Sequence, residues 1–477
     1  MAIVPKSDLK RKSRVKKPSE KRPAMAYEFI DTRVPTLGEP KVESPIRHYN
    51  MVTSDGRVIG KSYVNDTEKV LVHDNIDYLA SLKPGEKPAC FEIAGPRPKI
   101  YFDPYKVHCA IVTCGGLCPG TNDVIRAIVL ELFYLYNVRH IYGVRYGFQG
   151  FIPKYGHDLM DLNPDLVANI HTFGGTILGT SRGPQDTVEI VDALDRINIR
   201  ILFLIGGDGT LRAASEICDE IARRELRISV IVIPKTIDND IALVPRSFGF
   251  DTAVEVATNA IHAAHTEAVG SPNGIGLVKL MGRYSGFITA NATLALREVN
   301  YVLIPEMDFD LEGDCGLLAS LECRLRERQH ALILVAEGTG QKFFRKEDLP
   351  RDPSGNIKPG DIGVFLQERI KEHFRKRNIE VNLKYIDPSY LIRSMPANYN
   401  DRIYCGFLGQ NAVHAGMAGK TAMLVSRWHS HYVHIPIKAA VNKSKQVELD
   451  SPLWRSVLES TGQPPLKNIV KAAAGGQ

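Results

Sequence analysis

From about residue 105 the chain alternates between two kinds of pattern. Short, nearly unbroken apolar runs occur at Val107–Thr113, Ile201–Ile205, Ile228–Ile233, Ile275–Leu280 and Ala331–Val335. Each is followed by glycine or polar residues. Segments with helical spacing then occupy Thr121–Tyr136, Thr210–Arg224, Asp251–Ala268, Ser285–Ala295 and Ile362–Phe374. Strands apolar on both faces need helices on both sides, and strand–loop–helix alternation makes neighbouring strands parallel. The pattern predicts an α/β protein of two doubly wound, mostly parallel-sheet domains. In such sheets ligands gather outside the carboxyl ends of the strands, where the polar motifs of this chain lie.

The rest of the chain reads differently. Residues 1–23 carry Lys6, Lys10, Arg11, Lys12, Arg14, Lys16, Lys17, Lys21 and Arg22 with hardly an apolar residue, the composition of a disordered tail. A transit peptide is the alternative, but such segments prefer Arg and Ser and need an amphipathic pattern. The Pro-rich stretch 24–104 reads as an extension wrapping the core, so 1–104 form an N-terminal extension. The first α/β domain is then 105–235 and the second 236–435, with the return of part of 386–435 to the first domain left open, and 436–477 form a C-terminal tail whose end, Ala472–Gln477, reads as disordered. Residues 338–360 are rich in Gly, Pro and charge and predict a long loop.

Composition narrows the classes. The 477 residues are 44% hydrophobic and 24% charged, enough for two or three domains with sizeable cores. No apolar run of about 18 residues predicts a membrane-spanning helix. The net charge of +6 is concentrated in the tail, so composition gives no argument for nucleic-acid binding. Eight thinly spread cysteines, with no secretory signal ahead of them, predict free thiols in a reducing compartment and hence a cytoplasmic protein. Cys114 and Cys118 lack the second pair that structural zinc needs.

Three loops are rich in glycine, and two of them directly follow apolar runs. Gly115-Gly116-Leu117-Cys118-Pro119-Gly120 leads into a helix, where backbone N–H groups and the helix dipole favour an anion. Gly206-Gly207-Asp208-Gly209-Thr210 adds a carboxylate that can hold Mg²⁺ on a phosphate, although Asp or Thr at a helix start also serves as a cap. Gly174–Gly183 ends in Arg182, which can reach phosphate or simply face solvent. At Lys235-Thr236-Ile237-Asp238-Asn239-Asp240, two carboxylates crowd beside a lysine at a strand end. Phosphoryl transfer to an alcohol needs a base at the hydroxyl and positive charge on the transferred group; the bland alternative is a salt-bridged turn. Met281-Gly282-Arg283 and Tyr390 with Arg393 add arginines suited to phosphate. Convergence of these groups at strand ends favours a site for a phosphorylated substrate. A dinucleotide-binding reading fails because the Gly115–Gly120 spacing is wrong and no acidic residue follows about 20 positions on.

These motifs resemble the phosphofructokinase family. Gly-Gly-x-x-Pro-Gly-x-Asn, Gly-Gly-Thr-x-Leu-Gly-x-x-Arg, Gly-Gly-Asp-Gly-Thr, Thr-Ile-Asp-Asn-Asp and Met-Gly-Arg occur in that order between 115 and 283, and the resemblance extends over about 105–435. Pro-Lys-Thr-Ile-Asp-Asn-Asp together with the N-terminal extension is similar to the longer branch of trypanosomatids, plants and some bacteria. The resemblance implies transfer of the γ-phosphoryl group of ATP, with Mg²⁺, to the 1-hydroxyl of fructose 6-phosphate in glycolysis. It implies Asp238 as the base, with Thr236 and Asp240 positioning the reacting groups and Arg283 on the transition state. Gly116, Phe148, Arg182, Gly207, Asp208, Gly209, Thr210 and Lys235 would form the ATP site, Asp208 holding the metal. Met281, Gly282, Arg283, Glu337, Lys384, Tyr390 and Arg393 would join Thr236 and Asp238 in binding the sugar phosphate. A homotetramer under allosteric control is implied as well.

Some positions depart from the pattern of short bacterial members. Lys235 replaces a glycine and also marks pyrophosphate-using relatives, which keeps a pyrophosphate-dependent enzyme as the alternative. Gly209 points to ATP, since pyrophosphate users tend to carry Asp there, where it would obstruct the α-phosphate. Gly274 replaces an arginine that reaches a neighbouring subunit's sugar phosphate, leaving Lys384 as the basic candidate. Glu306 resembles an effector-site position. A catalytically dead sensor would have lost part of the set, yet Asp208, Asp238, Asp240, Arg283 and Arg393 are all present.

Overall fold

The computed structural model describes residues 30–46, 51–60, 63–345, 347, 349–351, 358–441 and 443–468. The tails read as disordered, 1–23 and 472–477, lie outside them. Two sheets organise the chain. The larger has nine strands: β1 (Lys69–Leu71), β2 (Cys90–Ile93), β3 (His108–Thr113), β4 (His140–Val144), β5 (Met160–Asp161), β6 (Ile199–Gly206), β7 (Ser229–Pro234), and, late in the chain, β12 (Met423–Trp428) and β13 (His431–Pro436), in the order β1-β2-β13-β12-β7-β6-β3-β4-β5. The smaller comprises β8 (Gly274–Leu280), β9 (Tyr301–Leu303), β10 (His330–Ala336) and β11 (Asn382–Ile386), in the order β9-β10-β8-β11, all parallel.

The apolar runs form the centres of both sheets. Apart from half-buried Arg200, every residue of β6 is buried, and so is every residue of β7 and β8. Helices cover both faces, among them α1 (Thr121–Leu130), α2 (Asp208–Arg223), α3 (Phe250–Val269), α4 (Ile362–Lys376) and α5 (Tyr399–Met417). The helical reading of Thr121–Tyr136 needs one refinement: α1 ends at Leu130 and a π-helical turn, Glu131–Leu135, follows. Burial pushes the Glu131 carboxyl up to about 7, and His414 of α5 lies 3.5 Å away.

The extension does more than wrap the core. Its strands continue the large sheet, β2 antiparallel to β13 and β1 antiparallel to β2, and residues 423–436 return to that sheet through β12, parallel to β7. A largely buried ion network holds this edge. Lys420 Nζ lies 3.0 Å from Glu92 and 3.2 Å from Asp66, Arg97 lies 2.8 Å from Asp66, and His434 lies 3.3 Å from Glu92. Lysine and arginine are here almost fully buried, so losing one partner strands a charge, at a cost of about 3–5 kcal/mol. No helix among the described residues is long and apolar enough to cross a membrane.

Candidate active site

The carboxyl ends of β3, β6 and β7 lie side by side because the strands are parallel and in register: Ile205 faces Thr113, and Gly206 faces Pro234. The loops leaving them are bonded to one another. Lys235 N donates to Gly206 O at 2.9 Å. Thr113 Oγ1 donates to Gly179 O and Thr180 Oγ1 to Gly115 O, each at 2.7 Å, while Asn122 Oδ1 accepts from Ile177 N at 3.0 Å. The glycine loop after β3 and the loop ending in Arg182 thus form one rigid floor. Two glycines are steric necessities. A Cβ on Gly206 would sit 2.1 Å from Thr210 Oγ1, and one on Gly174 would sit 1.8 Å from Ser394 O.

Three cations gather around Gly116. Lys235 Nζ donates to Gly116 O at 2.5 Å, and a Cβ on Gly116 would lie 3.7 Å from Arg393 Nη1 and 3.8 Å from Arg182 Nη2. Burial is the main cause lowering the Lys235 pKa, with Arg393 and Arg182 adding repulsion. Arg393 Nε is buried without a hydrogen-bond partner among the described residues. Mutually repelling cations with an unused donor are matched to an anion, above all a phosphate.

Beside them is the acid pair. Thr236 Oγ1 donates to Asp240 Oδ1 at 3.0 Å and accepts from Asp238 N at 3.1 Å. Asn239 adopts a left-handed φ of 55°, stabilised by its side chain: Oδ1 accepts from Ser247 N at 3.0 Å and Nδ2 donates to Pro245 O at 3.3 Å. Ser285 Oγ donates to Asp238 O at 3.1 Å, joining the loop after β7 to the loop after β8. Asp238 Oδ1 is enclosed and has no hydrogen-bond partner among the described residues. Burial, then the charges of Asp240 and Glu337, raise its pKa well above the ordinary value, while Arg393 and the Arg283 N–H oppose the rise. Burial also raises Asp240, opposed by the Thr236 hydroxyl. Two nearby carboxylates with elevated pKa, one with a free oxygen, suit proton transfer.

The small sheet brings the remaining groups. Glu337 N donates to Leu280 O at 2.9 Å and Gly338 N to Gly282 O at 3.1 Å, which places Glu337 beside Met281, Gly282 and Arg283. Burial raises the Glu337 pKa against the pull of Lys279, Arg283 and Arg393. Arg393 Cζ lies 4.9 Å from the centre of the Tyr390 ring, and that ring is largely exposed. Asp208 opens α2 and pairs with Arg212 at 2.7 Å, both about half exposed; a Cβ on the adjoining Gly209 would meet nothing within 4 Å.

Phe148 and Lys384, also expected at the site, have the following surroundings within the chain. Phe148 packs in the apolar core with Cys114, Phe151 and Ile152, behind the glycine loop after β3. Lys384 lies opposite Gly276 in mid-strand, its ammonium 3.9 Å from Glu267 of α3, away from the strand end where the site forms. Glu306 acts as a brace, Oε1 accepting from Gly286 N at 2.9 Å and Val447 N at 2.8 Å.

Lys279 was missed by sequence reasoning, although a lysine within the apolar run of β8 was a signal. Its ammonium lies 3.0 Å from Asp361, the N-cap of α4, and 2.9 Å from Asp387, just before Ser389 and Tyr390. Lys279→Met should loosen this strand end and raise KM for the phosphorylated acceptor about tenfold, with a smaller change in kcat. Steady-state kinetics with the acceptor varied checks this.

Comparison with known proteins identifies the family. The phosphofructokinase family profile matches residues 108–416. The chain is 50% identical to the ATP-dependent 6-phosphofructokinase of Borreliella burgdorferi, over 92% of this chain and 98% of that protein. It is 43% identical to the ATP-dependent 6-phosphofructokinase of Trypanosoma brucei brucei, covering 85% and 86% of the two chains. Among solved structures, the pyrophosphate-dependent phosphofructokinase of Marinobacter aquaeolei shares the fold, with a TM-score of 0.61 at 18% identity over 76% of this chain and 92% of that one. With a family profile matched over residues 108–416 and relatives of this similarity along nearly its whole length, the chain belongs to the phosphofructokinase family.

Proposed function

We propose that the protein transfers the γ-phosphoryl group of ATP to the 1-hydroxyl of fructose 6-phosphate, the committed chemistry of a glycolytic 6-phosphofructokinase. The observation that carries this reading is the free, enclosed Oδ1 of Asp238 beside the cations around Gly116. Asp238 takes the proton of the sugar hydroxyl. Thr236 and Asp240 hold that hydroxyl against the phosphoryl group, and Lys235, Arg182 and Arg283 bear on the charge that develops in transfer. Gly116, Gly207, Gly209 and Thr210 line the nucleotide phosphates, and Phe148 supports that floor from below. Met281, Gly282 and Glu337 bind the sugar, while Tyr390 and Arg393 take its 6-phosphate.

Asp208 fits Mg²⁺ carried in on the nucleotide. It is one half-exposed carboxylate next to a phosphate-facing loop, and the described residues contain no cluster of three or more acidic, His or Cys ligands that would cage a metal without substrate. When bound, the metal neutralises phosphate charge. We take the enzyme to be a cytoplasmic homotetramer, in which a neighbouring subunit would cover the exposed Tyr390.

Pyrophosphate use remains the second reading, favoured by Lys235. Coupled assays of the purified protein with each donor decide between them: turnover with ATP is expected and turnover with pyrophosphate alone overturns the assignment. The open space at Gly209 and the similarity to ATP-dependent 6-phosphofructokinases support ATP.

A further inference from the structure

A strap from the C-terminal part of the chain crosses the site. Residues 443–450 follow the last strand of the large sheet and touch three separate loops. Lys445 N donates to Asp240 O at 2.7 Å, and Ser444 forms an antiparallel bridge with Ile241. Gln446 Nε2 donates to Tyr284 O at 3.1 Å. Val447 N donates at 2.8 Å to the same Glu306 oxygen that accepts from Gly286 N. The strap therefore links the acid loop after β7 to the loop after β8 and to Glu306 after β9. These are the segments whose spacing sets how the base meets the sugar.

The Lys445 side chain turns inward. Its ammonium donates to Val244 O at 2.7 Å and Pro245 O at 3.0 Å and lies 5.0 Å from the centre of the Phe287 ring. Among the described residues it has no carboxylate in ion-pair contact; burial lowers its pKa to about 8, and the charge of Asp240 opposes that fall. Arg246 faces Lys445 as a like charge. Asp240 in turn faces Asp208 and its neighbour Asp238, and Asp238 faces Glu337 and Arg393. Lys445 is thus a cation set into a cluster of carboxylates without being spent on any one of them.

We propose that Lys445 is a positioning residue for phosphoryl transfer: its strap fixes the acid loop against the loop after β8, and its ammonium, held by Val244 O and Pro245 O, sets a positive charge near the Asp240 carboxylate that accepts from Thr236. This rests on the functional reading above. A lysine that merely tied two carbonyls would affect stability alone.

The test uses the full chain. Lys445→Met keeps the stem over Phe287 and removes the charge, whereas Lys445→Arg keeps the charge. The expected result for K445M is a kcat about tenfold lower, with KM for both substrates within about twofold. The acid limb of its kcat profile should move to higher pH by about half a unit to one unit, because loss of a nearby cation makes the carboxylates bind protons more tightly. K445R should restore the wild-type limb and most of kcat. Lys445→Gln carries the same expectation as K445M should that variant not accumulate. An unshifted limb with near-wild-type kcat, or K445R as impaired as K445M, overturns the proposal. Absence of wild-type turnover with ATP and fructose 6-phosphate would instead overturn the functional reading itself.

Discussion

Asp238→Asn should lower kcat by about a thousandfold or more, with KM for fructose 6-phosphate changed little, and should at the same time raise the melting temperature near neutral pH. The first effect follows from the free Oδ1: the amide keeps the shape and cannot take the proton. The second follows from the raised pKa of Asp238. A carboxyl that binds its proton more tightly in the folded state favours folding most fully below the ordinary carboxylate value, about 4. That contribution is lost as pH rises through the raised folded value. Above that range the wild-type protein carries a poorly solvated charge that the asparagine variant lacks. The gap in melting temperature should be widest at about pH 8 and close towards pH 4. Wild-type kcat should fall as pH drops through the raised value, since only the ionised carboxylate is a base. Calorimetry across pH with matched kinetics checks both arms; unchanged kcat in the variant would refute the assignment of the base.

Gly209→Asp should raise KM for ATP at least about a hundredfold while leaving the fold intact. A Cβ at Gly209 meets nothing within 4 Å, so the side chain enters space that the protein does not fill. Placed in the first turn of α2, the new carboxylate even complements the helix dipole. Its penalty is toward the nucleotide. Two like charges about 4 Å apart repel by about 4 kcal/mol at the effective dielectric of a protein surface, and the side chain also occupies the approach of the α-phosphate. A donor without that phosphate avoids the steric part, so pyrophosphate binding should suffer less. Equilibrium binding of ATP and of pyrophosphate, with thermal unfolding as the control, reads the difference. Unchanged ATP affinity would show that Gly209 does not border the nucleotide.

Much of the architecture was legible along the chain because its information is local. Val, Ile and Leu runs of strand length have no stable place except between two helical layers, and the glycine-rich loops behind them must lie at strand ends. The edges were less legible. Lys69–Leu71 and Cys90–Ile93 are too short for alternation to stand out from loop, and their strand state depends on β13, which lies more than 300 positions later. The same holds for Phe148 and Lys384: an aromatic beside a glycine and a lysine within a short strand look alike whether they face a ligand or not, and packing set one in the core and the other beside Glu267.

By itself, the amino-acid sequence determined the parallel α/β layering, the order of the loops and the chemical types available at their tips. Apolar periodicity and backbone sterics act over a few residues and are written there. Tertiary structure alone decided which tips meet. It set Lys235, Arg182 and Arg393 around Gly116, enclosed Asp238 Oδ1, tied Lys279 to two carboxylates and carried residues 443–450 back across the acid loop. Those outcomes depend on desolvation and on charges brought together from distant parts of the chain, and both exist only once the sheets have packed.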